Sequence, residues 1–471
     1  MLMSNLKQDK IAIVGLGYVG LPLAIEFSKK FPVVGFDINN LRIQQLRGGY
    51  DETLEVDLSL QSNLIKQEND TDKGLYFSSS LADIESSNIF IITVPTPIND
   101  YQVPDLNLLL TATKMVASVL KKGDLVIYES TVFPGCTEEE CVPLLEKKST
   151  LQYNKDFFVG YSPERINPGD KINTLVNITK VTSGSTENTA ERVDNLYKEI
   201  IIAGTYKAAS IQVAEAAKAI ENAQRDINIS FVNELALIFD RLGIDTQDVL
   251  NAAGTKYNFL PFKPGLVGGH CISVDPIYLA HKATQMGYQP NVILSGRRVN
   301  EQMASFIASK VVKLMTAKDI TIKGAKVLIL GITFKENCPD IRNSKVVDIY
   351  RELQDYGVKV DVYDPWANPD YVAKQYDINL LESLEFRNKE QIKETVNFCN
   401  NRDHKFMSRN SDAEFTNLVQ EESINPTYDA IVLAVAHKQF MNLDVPKLAK
   451  STCVIFDTKG ILDRSIVDAR L

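Results

Sequence analysis

Residues 265–276 read GLVGGHCISVDP. Cys271 stands directly behind a glycine-rich turn, and Asp275 follows it on the same stretch. A thiol so placed has three readings: a nucleophile, a metal ligand, or an ordinary buried cysteine, since free cysteine is among the most buried residue types. A metal fits poorly. His270 and Cys271 are adjacent, and neighbouring ligands rarely reach one tetrahedral ion together. The chain holds four histidines and neither CxxC nor HExxH, so no metal is expected. Glycines before a thiol let a ligand approach the backbone, which favours the nucleophile without excluding simple burial. A second set of reactive types lies within residues 207–241. There Lys218, Asn222 and Arg225 fall at i, i+4 and i+7, on one helical face. Three polar side chains stacked in an Ala- and Ile-rich helix want partners; the competing reading is a solvated stripe.

What such a thiol could attack is suggested by the opening of the chain. KIAIVGLGYVGLPLAIEFSKKFPVVGFDIN runs from a buried strand, Ile11 to Val14, through Gly15-x-Gly17-x-x-Gly20 into a helix, then into a strand ending in Asp37. The first glycine makes the turn, the second lets a pyrophosphate approach, and the third lets helix and strand pack. The helix N-terminus then offers its free N–H groups to the phosphates. Asp37 lies 22 residues beyond Gly15, placed to accept from a ribose 2′-OH and to repel a 2′-phosphate. NAD is therefore expected rather than NADP; the alternative is a parallel-sheet turn without a ligand. Arg42 either borders the adenosine or is a solvated helix residue. Beside a nicotinamide, a thiol can trap an aldehyde as a thiohemiacetal, which a second hydride transfer turns into a thioester and water releases as an acid. That chemistry needs a base and an oxyanion partner. Lys218, Asn222 and Asp275 are suitable types.

The elements that must position these groups read as α/β. NIFIITVPTP and DLVIYESTVFPG are strands ending in Thr, Pro and Gly, as at the carboxyl edge of a parallel sheet, where ligands bind. Thr96 and Thr131 on those loops are candidates for the nicotinamide side, or caps of their own turns. FFVGYSPERINPGD reads as a strand and a Pro-rich loop carrying Glu164 and Arg165. Residues 207–241 contain no Pro or Gly; as one helix they would span about 50 Å, enough to bridge two domains and carry a dimer contact. A second α/β unit starts near residue 320. KGAKVLILGITFKENCPDIRNS is strand then loop, and VKVDVYDP is a strand ending in Asp364, an echo of VVGFD. YDAIVLAVAH and STCVIFDTKG are further strands. This half is Rossmann-like without GxGxxG, which points to a different ligand. Lys335 and Arg342, on the loop after its first strand, could hold a phosphate. Residues 385–426 are polar and charged and read as an inserted surface segment. The expected fold class is α/β: two Rossmann-like doubly wound domains joined by a central long-helix dimerisation region.

Composition narrows the partners. The net charge of −9 argues against a nucleic-acid footprint. The longest apolar runs, such as IFIITV and AIVLAVA, are far short of the roughly 20 residues that cross a bilayer. The six cysteines are scattered and no signal peptide is read, so reduced thiols in a cytoplasmic protein are expected.

Together GLGYVGLPLA with Asp37 and Arg42, VPTP, ESTVFPG, SPERINPG, EAAKAIENAQRDINISFVNE, GLVGGHCISVDP and GITFKENCPDIRNS resemble the UDP-glucose/GDP-mannose dehydrogenase family along nearly the whole chain. The resemblance implies an NAD-binding domain (1–204), a central helical dimerisation region with the Cys271 loop (205–318) and a UDP-sugar-binding domain (319–471). It implies oxidation of a sugar C6 alcohol to a carboxylate with two NAD⁺, in a homodimer or higher oligomer. Cys271 would be the nucleophile, Lys218 a general acid/base or oxyanion partner, and Asn222 its companion. Asp275 would orient or activate water, Glu164 would serve deacylation, and Thr131 would position a water near the cofactor. Gly15, Gly17, Tyr18, Val19, Gly20, Asp37, Arg42, Thr96 and Thr131 would bind NAD. Arg165, Ile166, Lys218, Asn222, Arg225, Gly269, Phe334, Lys335 and Arg342 would meet the substrate, some of them from a partner subunit. Pro168, where UDP-glucose members carry an acidic residue, and His270 before the cysteine are similar to the N-acetylhexosamine branch, which serves capsule and O-antigen synthesis. UDP-N-acetylglucosamine is favoured, with UDP-N-acetylgalactosamine or UDP-glucose as alternatives. A nucleotide-sugar epimerase or dehydratase that retains its NAD is the reading from another class, although no Tyr-x-x-x-Lys pair stands at the expected place. A nucleotide-sensing regulator is the non-enzymatic one.

Overall fold

The computed structural model describes residues 9–53, 55–99, 101–166, 170, 172–269, 272–384 and 427–471. Pro168, His270, Cys271 and the 385–426 segment lie outside the described residues. The chain divides into two compact units. The first comprises residues up to Phe231 with His270–Arg298, and the second comprises Val232–Gly269 with Val299–Leu471.

The first unit is built on eight strands: β1 (Ile11–Val14), β2 (Pro32–Phe36), β3 (Gly74–Ser78), β4 (Ile89–Ile92), β5 (Leu125–Tyr128), β6 (Phe158–Tyr161), β7 (Lys180–Gly184) and β8 (Thr205–Lys207). Their order in the sheet is β3-β2-β1-β4-β5-β6-β7-β8. The direction of winding reverses between β1 and β4, the switch point where doubly wound sheets bind ligands. All neighbours are parallel except β6 and β7, which run antiparallel with Tyr161 opposite Ser183. IAIV, IFII and LVIY are buried at every position, because helices cover both faces of a parallel sheet. Alternate residues feed two cores: Ala12 and Val14 on one face, Ile11 and Ile13 on the other. The helices are α1 (Gly20–Ser28), α2 (Asn40–Arg47), α3 (Asn107–Ala117), α4 (Val142–Ser149) and α5 (Glu187–Lys198).

The long central helix forms as α6 (Ile211–Leu242). It starts later than the apolar periodicity predicts because Ser210 accepts from Val213 N at 3.2 Å and so caps it. It is followed by α7 (Thr246–Ala253), α8 (Asp275–Gln285) and α9 (Asn291–Ala317). The division between the units falls within α6 and within α9.

The second unit carries a wholly parallel sheet of β9 (Lys326–Leu330), β10 (Lys359–Tyr363), β11 (Tyr428–Leu433), β12 (Ala449–Asp457) and β13 (Ala469–Arg470), in the order β10-β9-β11-β12-β13. This repeats the central β2-β1-β4-β5-β6 part of the first sheet, and winding reverses between β9 and β11. Helices α10 (Val346–Asp355) and α11 (Pro369–Tyr376) flank it. Its core is Ile, Val and Leu from the strands with Met303, Ile307 and Val311 from α9.

Candidate active site

The glycine turn after β1 shows why each glycine is there. Gly15 has φ +97°, and its N–H donates to Phe36 O at 2.8 Å. A Cβ on Gly20 would stand 1.8 Å from Gly15 O and 2.4 Å from Thr93 Oγ1, so α1 can approach β1 only with glycine there. A Cβ on Gly17 would meet no protein atom within 4 Å. Nothing in the protein's own packing asks for Gly17; a ligand brought against the backbone does. Tyr18 and Val19 complete the turn, and no side chain caps the first turn of α1, leaving that end open to phosphate. Asp37, half-buried at the end of β2, accepts from Leu16 N and Asn39 N, each at 2.9 Å. Its carboxylate is thereby oriented at the edge of the turn.

Arg42 is not a solvated helix residue. It is buried, its Nε donates to Leu16 O at 3.0 Å, and its guanidinium pairs with Asp51 at 2.7 Å. It braces the glycine turn from beneath. Across the switch point, Thr96 Oγ1 donates to Thr131 O at 2.7 Å, tying the loop after β4 to the loop after β5.

Lys218 and Asn222, on α6, converge on Asp275, the first residue of α8. Asn222 Nδ2 donates to Asp275 Oδ2 at 2.6 Å, and Lys218 Nζ stands 3.8 Å from the same oxygen. All three are buried. Burial pushes the Asp275 carboxyl up to about 6, against the pull of Lys218 and Asn222. The third member of the expected stripe, Arg225, is exposed. The buried neighbour Asp226 pairs with Arg297 at 2.6 Å instead.

Glu164 is buried on the loop after β6. Its Oε1 accepts from Arg165 N at 2.6 Å and Ile166 N at 2.7 Å. Its Oε2 faces Lys180 Nζ at 3.3 Å, and Lys180 in turn pairs with Glu129 at 2.7 Å. Tyr197 OH donates to the other Glu129 oxygen. Arg165 pairs with Glu221 on α6 at 2.8 Å and donates to Thr179 O.

Three groups here escape a reading of motifs. Glu129 sits inside ESTVFPG and Lys180 inside ITKVTSG; a charged residue interrupting an otherwise strand-like run was the available signal. The third is Glu215, fully buried on α6, which accepts from Gly135 N at 2.5 Å and Thr137 N at 2.9 Å. It fixes the loop that carries Thr131 to the helix that carries Lys218.

In the second unit, Gly331 repeats Gly15: φ is +92° and its N–H donates to Tyr363 O at 2.8 Å. Asp364, at the end of β10, takes the place of Asp37. It accepts from Ile332 N at 2.6 Å and Thr333 N at 3.1 Å, and from Trp366 N and Ala367 N, with His437 Nε2 at 3.1 Å. That carboxylate is buried and spent on the protein itself. Gly268, Thr333, Phe334, Lys335, Lys345 and Lys459 line a cleft at the β9/β11 switch point. Lys335 and Lys459 on its wall suit a phosphate-bearing ligand, while the Lys345 ammonium pairs with Glu301 and Asp348. A Cβ on Gly269, at φ +83°, would lie 2.8 Å from the Phe334 ring. One on Gly268 would lie 2.4 Å from Asn343 O. These glycines accommodate the loop after β9. Arg342 is held bidentately by Asp340, at 2.9 and 2.6 Å.

Comparison with known proteins gives this geometry its place. The NAD binding domain of the UDP-glucose/GDP-mannose dehydrogenase family matches residues 9–201, its central domain 212–302 and its UDP binding domain 328–464. The chain belongs to the UDP-glucose/GDP-mannose dehydrogenase family. It is similar to a Pseudomonas aeruginosa UDP-N-acetyl-D-glucosamine 6-dehydrogenase, 52% identical over 99% of this chain and all of that one. A Salmonella typhi enzyme of the same name is 49% identical over the full length of both. Among solved structures, a UDP-D-ManNAc dehydrogenase from Pyrococcus horikoshii superposes with a TM-score of 0.79 at 28% identity, covering 98% of each chain.

As a member of this dehydrogenase family, the protein is an oxidoreductase and its cofactor is NAD. The fit is visible in Gly17, whose missing side chain only a ligand requires, and in Asp37 at the edge of the turn. Among the described residues, no group of three or more His, Cys, Asp or Glu stands together as a metal site. No described helix is long and apolar enough to cross a membrane.

Proposed function

We propose that this protein is a UDP-N-acetylglucosamine 6-dehydrogenase that oxidises the C6 alcohol to the uronic acid through Cys271. The observation that carries the reading is the buried Lys218–Asn222–Asp275 cluster, with Asp275 only four residues beyond Cys271. Support for the sugar comes from the two relatives named for that substrate. Bound NAD supplies the hydride acceptor. Cys271 holds the substrate carbon as a thiohemiacetal and then as a thioester. Lys218 and Asn222 are hydrogen-bond donors suited to an oxyanion at that carbon, and their burial strengthens the interaction. Asp275 keeps both donors aimed and orients water. Glu164 takes the proton from the water that releases the acid, and Thr131 positions water on the cofactor side. Arg165, Ile166, Arg225, Gly269, Phe334, Lys335 and Arg342 serve the UDP-sugar.

The division at 204/205 and 318/319 is the functional one: cofactor, dimer contact and nucleotide sugar. The protein works in the cytoplasm as a homodimer or larger homo-oligomer, supplying a precursor for surface polysaccharide. Val213, Ile220, Phe231 and Ile238 on α6 are 44–56% exposed, which supports a second copy as the cover for that helix.

The test is NADH release with UDP-N-acetylglucosamine, UDP-N-acetylgalactosamine and UDP-glucose, with product mass. Two NADH per sugar and a uronate from UDP-N-acetylglucosamine are expected. Preference for UDP-glucose would overturn the substrate, and turnover without net NADH would point to an epimerase or dehydratase. Cys271→Ser should abolish acid formation; normal turnover there removes the thioester.

A further inference from the structure

We propose that Lys180 is a positioning residue for the hydrolytic half of the reaction, holding the Glu164 carboxylate from behind. The inference rests on the role of Glu164 in deacylation proposed above. Topology puts the two together. In the first sheet β6 and β7 run antiparallel, with Gly160 opposite Gly184 and Tyr161 opposite Ser183, so the chain after β6 runs back along the start of β7. The start of β7 therefore lies beside the carboxyl end of β6, where the chemistry is. The reversal of β7, which β8 follows in parallel, brings a lysine to an edge that otherwise carries the ends of parallel strands.

The contacts divide the work between the two Glu164 oxygens. Oε1 is filled by the Arg165 and Ile166 amides. Oε2 meets the Lys180 ammonium at 3.3 Å, and it is the oxygen suited to take a proton from water. Lys180 cannot wander: it is 1% exposed, pairs with Glu129 at 2.7 Å, and lies 5.3 Å from the Tyr197 ring centroid. Glu129 is held by the Tyr197 hydroxyl. One buried cation thus serves two buried carboxyls. Burial works against the Lys180 charge, but Glu129 and Glu164 outweigh it and keep the ammonium protonated. Burial pushes Glu129 up to about 7.

In the step concerned, the water oxygen bonds to the acyl carbon and its proton passes to Glu164 Oε2. The C–S bond then breaks with its electron pair on the Cys271 sulfur. Lys180 touches neither the acyl carbon nor the departing sulfur; it acts through Glu164, by fixing where Oε2 points.

Lys180→Met, Lys180→Arg, Glu164→Gln and the Glu164→Gln/Lys180→Met double variant are to be compared by rapid quench with NAD and UDP-N-acetylglucosamine, reading intact-protein mass. Glu164→Gln should accumulate the acyl adduct. Lys180→Met should do the same, with kcat down roughly tenfold or more and KM for the sugar within about twofold. Lys180→Arg should recover most of the rate, and the double variant should be no slower than Glu164→Gln. Removing one member of a buried ion cluster can prevent folding. Glu129→Gln/Lys180→Met, which removes the buried pair together, is the variant that keeps the test open; it too should accumulate adduct. Adduct in Glu164→Gln but in neither folded Lys180→Met variant overturns the inference alone. No adduct in Glu164→Gln overturns both the inference and the role of Glu164.

Discussion

The Asn222 side-chain amide donates to Asp275 Oδ2 across 2.6 Å, joining the middle of α6 to the first residue of α8. The sequence separates them by 53 positions. The contact makes Asp275 the hub of the site, because Lys218 approaches the same oxygen at 3.8 Å.

That hub predicts a pH limb. The folded carboxyl titrates near 6. Below that it gains a proton, and the acceptor that orients Asn222 and Lys218 is weakened. Turnover should therefore fall as pH drops through about 6. Asp275→Asn should cut kcat by on the order of a hundredfold, as for other preorganised donors, and abolish that limb. A kcat profile between pH 5 and 9 measures both; an acidic limb unchanged in Asp275→Asn would assign it to another group.

The glycine turn yields a paired prediction. Gly17 has open space for a Cβ and Gly20 has none. Gly17→Ala should leave the melting temperature nearly unchanged while NAD affinity falls tenfold or more. Gly20→Ala should destabilise the fold itself by roughly 1–3 kcal/mol or more, through overpacking. Asp37→Ala should weaken NAD without loss of stability beyond its two backbone contacts. Calorimetric melting and NAD titration separate the three. Equal NAD affinity in Gly17→Ala and wild type would remove the close approach of ligand to that residue.

These contrasts mark what a sequence can carry. The first sheet was legible because buried parallel strands are unbroken apolar runs, and because Gly15 and Asp37 bracket one local unit. Arg42 was not, since its partner Asp51 and the Leu16 carbonyl are set by folding. Gly268 and Gly269 before Cys271 are also pressed by Asn343 and Phe334, far along the chain, a constraint no local pattern reveals. Glu129 and Lys180 were illegible because their pairing depends on which neighbour β7 chooses and in which direction. Asp364 looked like Asp37 in sequence, yet the structure spends it on four backbone amides and His437.

The buried carboxyls predict an unusual stability profile. Burial pushes both Glu129 and Glu215 up to about 7, above the ordinary 4.5. A raised carboxyl favours the protonated fold, so its contribution is complete below about 4.5 and is lost as pH rises through 7. At 1.36 kcal/mol per unit, each could cost up to roughly 3 kcal/mol by pH 8. The melting temperature should decline from about pH 5 to pH 7 and level off above it, and Glu129→Gln should flatten part of that decline. A wild-type melting temperature that rises across this interval contradicts the assignment.

The exposed face of α6 predicts its own partner. Phe231 is 56% exposed and Ile220 53%, at positions where a solitary helix would gain nothing from large apolar side chains. Burying such groups against a second copy would contribute about 1.5–3 kcal/mol for each side chain fully covered. A glutamate in place of Phe231 would meet its symmetry mate or an apolar wall in a dimer, and desolvation would then disfavour association. Light scattering should find wild type at twice the chain mass or a multiple of it, and Phe231→Glu shifted toward the single chain. Circular dichroism should be unchanged in the variant. A Phe231→Glu protein that keeps the wild-type mass at micromolar concentration would show that α6 is covered by something other than this face of its copy.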